Sequence, residues 1–135
     1  MIPISDIMTC DVKCVTPEVP IYEALERLKK YCVSGLPVVD STMRIVGILS
    51  EKDVLKILFD PKPVVQYTVE HYMTREVICF TEFDDAVEIC KFFIRTNIRR
   101  VPIVRDGILI GIVARRDIIS AILEARSKLS DYRYV

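Results

Sequence analysis

The chain has 135 residues, about one domain on the usual prior of roughly 100–200 residues per domain. Lys plus Arg and Asp plus Glu are equal at 19 each, so there is no net field to attract nucleic acid or an acidic membrane surface, and neither is an expected partner. The longest apolar run, residues 108–114, is far short of the roughly 18 residues that span a membrane, and the N-terminus lacks signal-peptide regions, so we expect a cytoplasmic protein.

The first half of the chain predicts a strand, a helix and a hairpin. Residues 12–15 are typical of a short strand, which a proline-containing segment ends before a helix over residues 21–32, whose apolar side chains fall at helical spacing. Two short apolar runs, 36–39 and 45–49, flank a polar loop and predict an antiparallel pair. A serine three residues before an acid then predicts a capped helix from residue 50 to about residue 59.

The second half repeats this order after a proline-rich breaker at residues 60–63, which we interpret as a linker. Asp106-Gly107 predicts a tight hairpin turn. The predicted elements are a strand at 74–80, a helix at 84–96 with Ile89, Cys90 and Phe93 inward, strands at 101–104 and 108–113, and a closing helix from 115 to about 129.

The two halves are also similar in sequence. Met8-Thr9 recurs as Met73-Thr74 at a spacing of 65 residues (73 − 8 = 65), and near the end of each half the spacing is 64 because one residue is lost. Such a repeat is typical of units that share one core. We therefore expect two copies of a strand, helix, strand, strand, helix unit.

These residues resemble the tandem CBS (cystathionine-beta-synthase) domain pair family over most of the chain. Each half opens on a Met-Thr pair, has a central proline-containing strand, and ends on a glycine-led segment that leads to an aspartate. The motifs are Ile7-Met8-Thr9 and Tyr72-Met73-Thr74, Leu36-Pro37-Val38-Val39 and Val101-Pro102-Ile103-Val104, and Gly47-Ile48-Leu49-Ser50-Glu51-Lys52-Asp53 and Gly111-Ile112-Val113-Ala114-Arg115-Arg116-Asp117.

The resemblance implies an α+β fold in which two β-α-β-β-α repeats pack with pseudo-twofold symmetry into one module. It predicts repeat 1 at residues 1–59, a linker at 60–68, repeat 2 at 69–124 and a C-terminal helix end and tail at 125–135. It also implies two clefts between the repeats that bind AMP, ADP, ATP or S-adenosylmethionine as a regulatory ligand rather than a cofactor, and a homodimer.

The resemblance assigns the ribose hydroxyls to Asp53 and Asp117 and the phosphate to the hydroxyl residue Ser50. Independently, a carboxylate accepts hydrogen bonds from both ribose hydroxyls, and a helix start offers free N–H groups to phosphate. Plain helix capping explains Ser50 and Asp53 equally well. Ala114 replaces the serine in the second copy, so capping explains Asp117 less well, and the lost hydroxyl weakens the case for a full phosphate contact there.

Basic residues and the central strands complete the predicted ligand site. Arginine binds phosphate through two charge-assisted hydrogen bonds, although a solvated strand entry or helix start explains the same charges. Strand termination likewise explains both threonines of the predicted adenine pocket. The phosphate candidates are Arg99, Arg100, Arg115, Arg116 and Lys52, and the adenine candidates are Val12, Cys14, Thr16, Pro37, Val38, Val77, Thr81, Pro102 and Ile103.

Catalytic and metal sites are not predicted. The five cysteines include no C-x-x-C pair and are interpreted as buried thiols, and one histidine leaves no catalytic set, so we expect neither a metal site nor an enzyme. We expect a stand-alone regulatory module that senses cellular energy through its nucleotide and signals to an effector protein. The alternative is a ligand-free interaction module that uses apolar helix faces around Leu55, Leu58, Ile118 and Ile122.

Overall fold

The computed structural model describes residues 2–60 and 67–133, and side chains as far as residue 128. Most of the predicted linker, residues 61–66, therefore lies outside the described residues. In chain order the helices and strands are α1 (Ile4–Ile7), α2 (Ile21–Tyr31), β1 (Gly35–Val39), β2 (Ile45–Ser50), α3 (Glu51–Leu55) continued by a 3-10 turn (Lys56–Phe59), α4 (Val69–Tyr72), β3 (Phe80–Thr81), α5 (Ala86–Arg95), β4 (Arg100–Arg105), β5 (Ile108–Ala114) and α6 (Arg115–Arg133).

The chain divides into two compact units that do not coincide with the two sequence repeats. We name each unit after the motif aspartate that it contains. The Asp53 unit comprises Lys13–Val77 and Asp106–Leu109, and the Asp117 unit comprises Met1–Val12, Ile78–Arg105 and Ile110–Val135. The predicted repeat boundaries stay a prediction.

The Asp53 unit is built from α2 and the β1–β2 hairpin. The strands pair antiparallel, with Gly35 opposite Ser50, as predicted. Helix α2 places its apolar stripe on this pair and ends at Cys32, which adopts a left-handed conformation (φ 52°). The buried core consists of Val15, Ile21, Ala24, Leu28, Leu36, Val38, Leu49 and Val69.

The Asp117 unit contains a sheet of order β3-β4-β5, in which β3 runs parallel to β4. The turn between β4 and β5, whose residues Asp106 and Gly107 are counted with the Asp53 unit, has positive φ at both positions (52° and 81°), the conformation that a two-residue hairpin turn requires. Helix α5 covers this sheet, as its helical spacing predicts. The buried core consists of Ile4, Ile89, Phe92, Phe93, Val101, Ile103 and Val113.

The opening segment of each repeat pairs with the sheet of the other repeat. In the Asp117 unit Thr9 forms a bridge with Ile112, and in the Asp53 unit Thr74 forms the matching bridge with Ile48. Glycine permits this approach, because a Cβ on Gly47 would lie 2.9 Å from the Thr74 carbonyl oxygen. The sequence repeat is therefore a unit of duplication, while the compact unit combines parts of both repeats.

Two of the predicted strands extend over more residues than form strand pairs in the structure. The 12–15 segment pairs only through a bridge between Val15 and Val38, and of the 74–80 segment only Thr74 and Phe80 pair. Each stretch passes from one compact unit to the other, so it cannot form a continuous ladder with a single partner strand. The apolar residues of these stretches range from the buried Val15 to Ile78, which is 54% exposed. The short helices α1 and α4 were not predicted.

The cysteine interpretation is only partly right. Cys10 and Cys32 are exposed, which contradicts the prediction of buried thiols, because Cys32 stands at the C-cap of α2 rather than on its buried stripe. Cys14, Cys79 and Cys90 are half-buried.

Within the described ranges, no helix is both long and apolar enough to cross a membrane.

Candidate functional site

Asp53 lies in the first turn of α3 and is buried, with 6% of its surface exposed. Its Oδ2 accepts hydrogen bonds from the Ser50 N–H (2.9 Å) and the Ser50 hydroxyl (2.9 Å), and its Oδ1 accepts from the Thr74 hydroxyl (3.1 Å). The Ser50 oxygen in turn accepts from the Asp53 N–H at 3.3 Å, so the predicted capping box is confirmed. Both carboxylate oxygens therefore have partners inside the protein.

Asp117 occupies the same position at the start of α6 but has fewer partners. Its Oδ2 accepts one hydrogen bond, from the Ala114 N–H at 2.7 Å, and the residue is half-buried. Ala114 has no hydroxyl to add. Among the described side chains, none donates a hydrogen bond to Asp117, so its Oδ1 can still accept a hydrogen bond.

The first helical amides, which the sequence offered to phosphate, are used within the fold. The Glu51 N–H donates to the Ser34 carbonyl at 2.9 Å, and the Arg115 N–H donates to the Arg99 carbonyl at 3.0 Å. These are the same contact in the two repeats. The first N–H of each helix is therefore already bonded within the protein and is not open to a phosphate.

The predicted arginines do not form one equivalent set. Arg100 lies in β4 and is half-buried, and its Nε is buried with no hydrogen-bond partner among the described residues. Burial lowers the pKa of the Arg100 guanidinium, the charge of Arg116 lowers it further, and that of Asp117 opposes both. Arg99 and Arg116 are exposed. The Asp117 unit thus holds two interacting cations close to its motif aspartate.

Arg115 has a structural role that the sequence did not indicate. Its Nη2 donates to the carbonyls of Phe93 (2.8 Å) and Thr96 (2.7 Å), and its Nε donates to that of Ile98 (3.1 Å). The guanidinium also lies 5.8 Å from the Phe93 ring centroid. Arg115 therefore binds carbonyls at the C-terminal end of α5, where a cation also interacts favourably with the helix dipole.

The predicted adenine residues are divided between the units. Four of them are buried strand residues: Pro37 and Val38 in β1, and Pro102 and Ile103 in β4. Half-buried positions are Val12 in the Asp117 unit and Cys14, Thr16 and Val77 in the Asp53 unit.

Thr81 is the exposed member of this predicted set and lies at the end of β3. Its hydroxyl oxygen accepts from the Phe83 N–H at 3.3 Å, and its own N–H donates to Asp84 Oδ2 at 2.7 Å. These contacts fit the strand-terminating alternative.

Thr74 was not predicted to belong to this site. It belongs to the opening segment of repeat 2, yet its hydroxyl binds the carboxylate of repeat 1. The repeated Met-Thr pair was visible, but nothing in the sequence linked it to Asp53.

Within the described part of the chain, no group of three or more His, Cys, Asp or Glu residues is arranged to hold a metal ion.

Known structures with this fold include complexes with adenosine compounds. CBSX2 of Arabidopsis thaliana in complex with AMP matches with a TM-score of 0.82 at 28% identity, covering 93% of this chain and 99% of that one. The CBS domain pair of protein MJ0100, in complex with 5-methylthioadenosine and S-adenosyl-L-methionine, matches with a TM-score of 0.76 at 30% identity, covering 90% and 99%.

Sequence relatives include longer proteins. An uncharacterized 17.7 kDa protein of Acidianus ambivalens is 34% identical over 92% of this chain and 75% of its own length. Inosine-5'-monophosphate dehydrogenase of Methanocaldococcus jannaschii is 35% identical over 84% of this chain, but the match spans only 22% of that enzyme. The CBS domain family matches twice, at residues 4–60 and 69–124, so the mixed α and β fold with two repeats is confirmed and the chain belongs to the CBS domain family.

Proposed function

We propose that the chain is a regulatory module that binds an adenosine-type ligand, AMP, ADP, ATP or S-adenosylmethionine, and transmits its occupancy to an effector protein. The observation that carries this proposal is the combination of a carboxylate and two arginines at the start of α6. There, the half-buried Asp117 carboxylate has an oxygen that no described residue occupies and that can accept ribose hydroxyls, and Arg100 and Arg116 supply positive charge nearby. The complexes of CBSX2 with AMP and of MJ0100 with S-adenosyl-L-methionine support the ligand class.

The chemistry of this cluster fits a nucleotide better than it fits a purely structural role. A cap needs only the carboxylate, and the Ala114 N–H already satisfies that role. Capping does not require a guanidinium whose buried Nε has no partner in the described part of the chain, and such an orphaned donor is uncommon in folded proteins. A ligand phosphate would give Arg100 an anionic acceptor.

A ligand-free interaction module is the second candidate, and exposed apolar helix residues favour it, as they also favour the homodimer that the resemblance implies for the ligand-binding module. Leu58 is 90% exposed, Leu55 60% and Ile122 59%, whereas Ile118 packs partly against the core. In the Asp117 unit, Ile122 also lines an apolar surface pocket of about 420 Å³ between α1, α5 and α6. That pocket contains none of the residues predicted to bind the ligand, so partner binding there and ligand binding at Asp117 are compatible.

Calorimetric titration of the full chain with AMP, ATP and S-adenosylmethionine tests the proposal. We expect saturable heat with at least one ligand and its loss in Asp117→Asn, which keeps the side-chain shape and an acceptor oxygen for the Ala114 N–H. Glu88→Gln, an exposed carboxylate change on α5 of the same unit, is the matched control and should bind as wild type. No heat with any of the three ligands from folded protein would leave the interaction module as the better function.

A further inference from the structure

The hydrogen bonds of the two motif aspartates differ in a way that bears on which of them can accept a ligand. A carboxylate takes the two ribose hydroxyls only if its oxygens can accept new hydrogen bonds. Asp53 already accepts three, spread over both oxygens, and it is 6% exposed. Among the described residues Asp117 has one donor, the Ala114 N–H, which binds Oδ2.

The additional partners of Asp53 come from two hydroxyl groups. The Ser50 hydroxyl binds Oδ2 at 2.9 Å, and its counterpart in the other repeat is Ala114, which has none. The Thr74 hydroxyl binds Oδ1 at 3.1 Å, whereas its counterpart Thr9 makes no such bond to Asp117 among the described residues. A carboxylate accepts about four hydrogen bonds, so Asp53, which already accepts three, can take both ribose hydroxyls only by releasing a partner such as Thr74. Among the described residues Asp117 has one donor, which leaves room for both hydroxyls.

The charges around the two aspartates also differ, and they favour binding of an anionic ligand at Asp117. At the position of Arg100 the first repeat has Gly35, and at that of Arg116 it has Lys52. Arg100 and Arg116 repel each other, and the Arg100 Nε has no acceptor among the described residues. An anion between such groups would relieve the repulsion and satisfy the buried donor. The corresponding residues of the Asp53 unit offer one exposed lysine instead.

We propose that the module binds a single equivalent of a phosphorylated adenosine ligand, at Asp117, Arg100 and Arg116, and that the Thr74 hydroxyl closes Asp53 to ribose. This inference rests on the proposed function and specifies it. Ser50, which the resemblance assigns to the ligand phosphate, is one of the groups that occupy the Asp53 carboxylate. Phosphorylated ligands such as AMP are then preferred over uncharged ones such as adenosine or methylthioadenosine.

The test compares AMP with adenosine by calorimetry on the full chain. We expect wild type to bind one equivalent of AMP at least about tenfold more tightly than adenosine, with an affinity that falls as salt is raised. Arg100→Gln should remove that preference by weakening AMP and sparing adenosine. Arg95→Gln, which removes an exposed arginine at the end of α5, is the matched control and should bind AMP as wild type.

A second pair of variants tests the closed aspartate. Thr74→Val removes the hydroxyl that binds Asp53 Oδ1 and should add a second equivalent of ligand, whereas Thr74→Ser keeps a hydroxyl and should still bind one. If Thr74→Val fails to fold, as judged by its melting curve, AMP binding by Asp53→Asn is measured instead. Because the inference leaves Asp53 without ligand, this variant should bind AMP with the affinity and stoichiometry of wild type.

The outcomes separate this inference from the proposed function. Two equal equivalents in wild type, equal affinity for AMP and adenosine, or a loss of AMP binding in Lys52→Gln as large as in Arg100→Gln would overturn the inference and leave ligand binding intact. Absence of heat with every adenosine compound would overturn both.

Discussion

Arg115 offers a sharp test of the structure, because its sequence position predicted a phosphate contact and its side chain instead binds three backbone carbonyls. Arg115→Met keeps much of the aliphatic stem and removes hydrogen bonds to Phe93, Thr96 and Ile98. At about 0.5–1.5 kcal/mol for each bond, the gross loss is roughly 1.5–4.5 kcal/mol. Since the side chain is exposed to water, we expect the lower part of this range, about 2 kcal/mol.

Urea denaturation followed by circular dichroism measures this loss, and a melting curve should show a drop of roughly 8 °C. Arg116→Met is the matched control, since Arg116 is exposed and makes no hydrogen bond among the described residues, and its stability should stay within about 0.5 kcal/mol of wild type. Wild-type stability of Arg115→Met, combined with weaker AMP binding, would refute the structural role and restore the phosphate role.

Two further predictions concern packing and thiol chemistry. A Cβ on Gly111 would lie 2.6 Å from the Met8 sulfur, so Gly111→Ala should lower the free energy of unfolding, measured in urea, by about 1–3 kcal/mol. The double variant with Met8→Ala should recover part of this loss. A loss below about 0.5 kcal/mol in Gly111→Ala would contradict the observed contact. Burial raises the thiol pKa of Cys79, and also that of Cys14, where the Arg27 charge partly opposes it. Labelling with iodoacetamide, followed by mass spectrometry, measures the reaction rate of each thiol. Cys14 and Cys79 should react more slowly than the exposed Cys10, and their rates should keep rising above about pH 9. A Cys79 rate that levels off below about pH 8 would contradict the raised pKa.

The sequence predicted the regular elements well because they depend on local patterns. The 3.6-residue apolar spacing of α2, the two positive-φ residues at Asp106-Gly107 and the Ser50–Asp53 capping box each involve residues close together in the chain. Predictions that depended on a distant partner were less accurate. Residues 12–15 have the composition of a strand, but only Val15 has a neighbouring strand with which to pair.

The candidate site shows the same division. Asp53 and Asp117 were found from the glycine-led motif that precedes each of them, because motif and aspartate are contiguous. The sequence could not show that Arg115 turns toward the carbonyls at the end of α5, more than fifteen residues earlier in the chain. It also could not show that Arg100 Nε is buried with no acceptor in the part of the chain that the structure describes.

The sequence by itself determined the duplication, the longer helices, the hairpins and the family, since each is encoded by local periodicity or by contiguous motifs. Only the tertiary structure decided which repeat each opening segment packs against, because pairing of Thr9 with Ile112 and of Thr74 with Ile48 depends on long-range contacts. That pairing brings the Thr74 hydroxyl to Asp53 Oδ1. Two aspartates with the same place in a repeated motif thus acquire different hydrogen-bonding capacity, because a carboxylate oxygen that already has a donor is less available to a ligand.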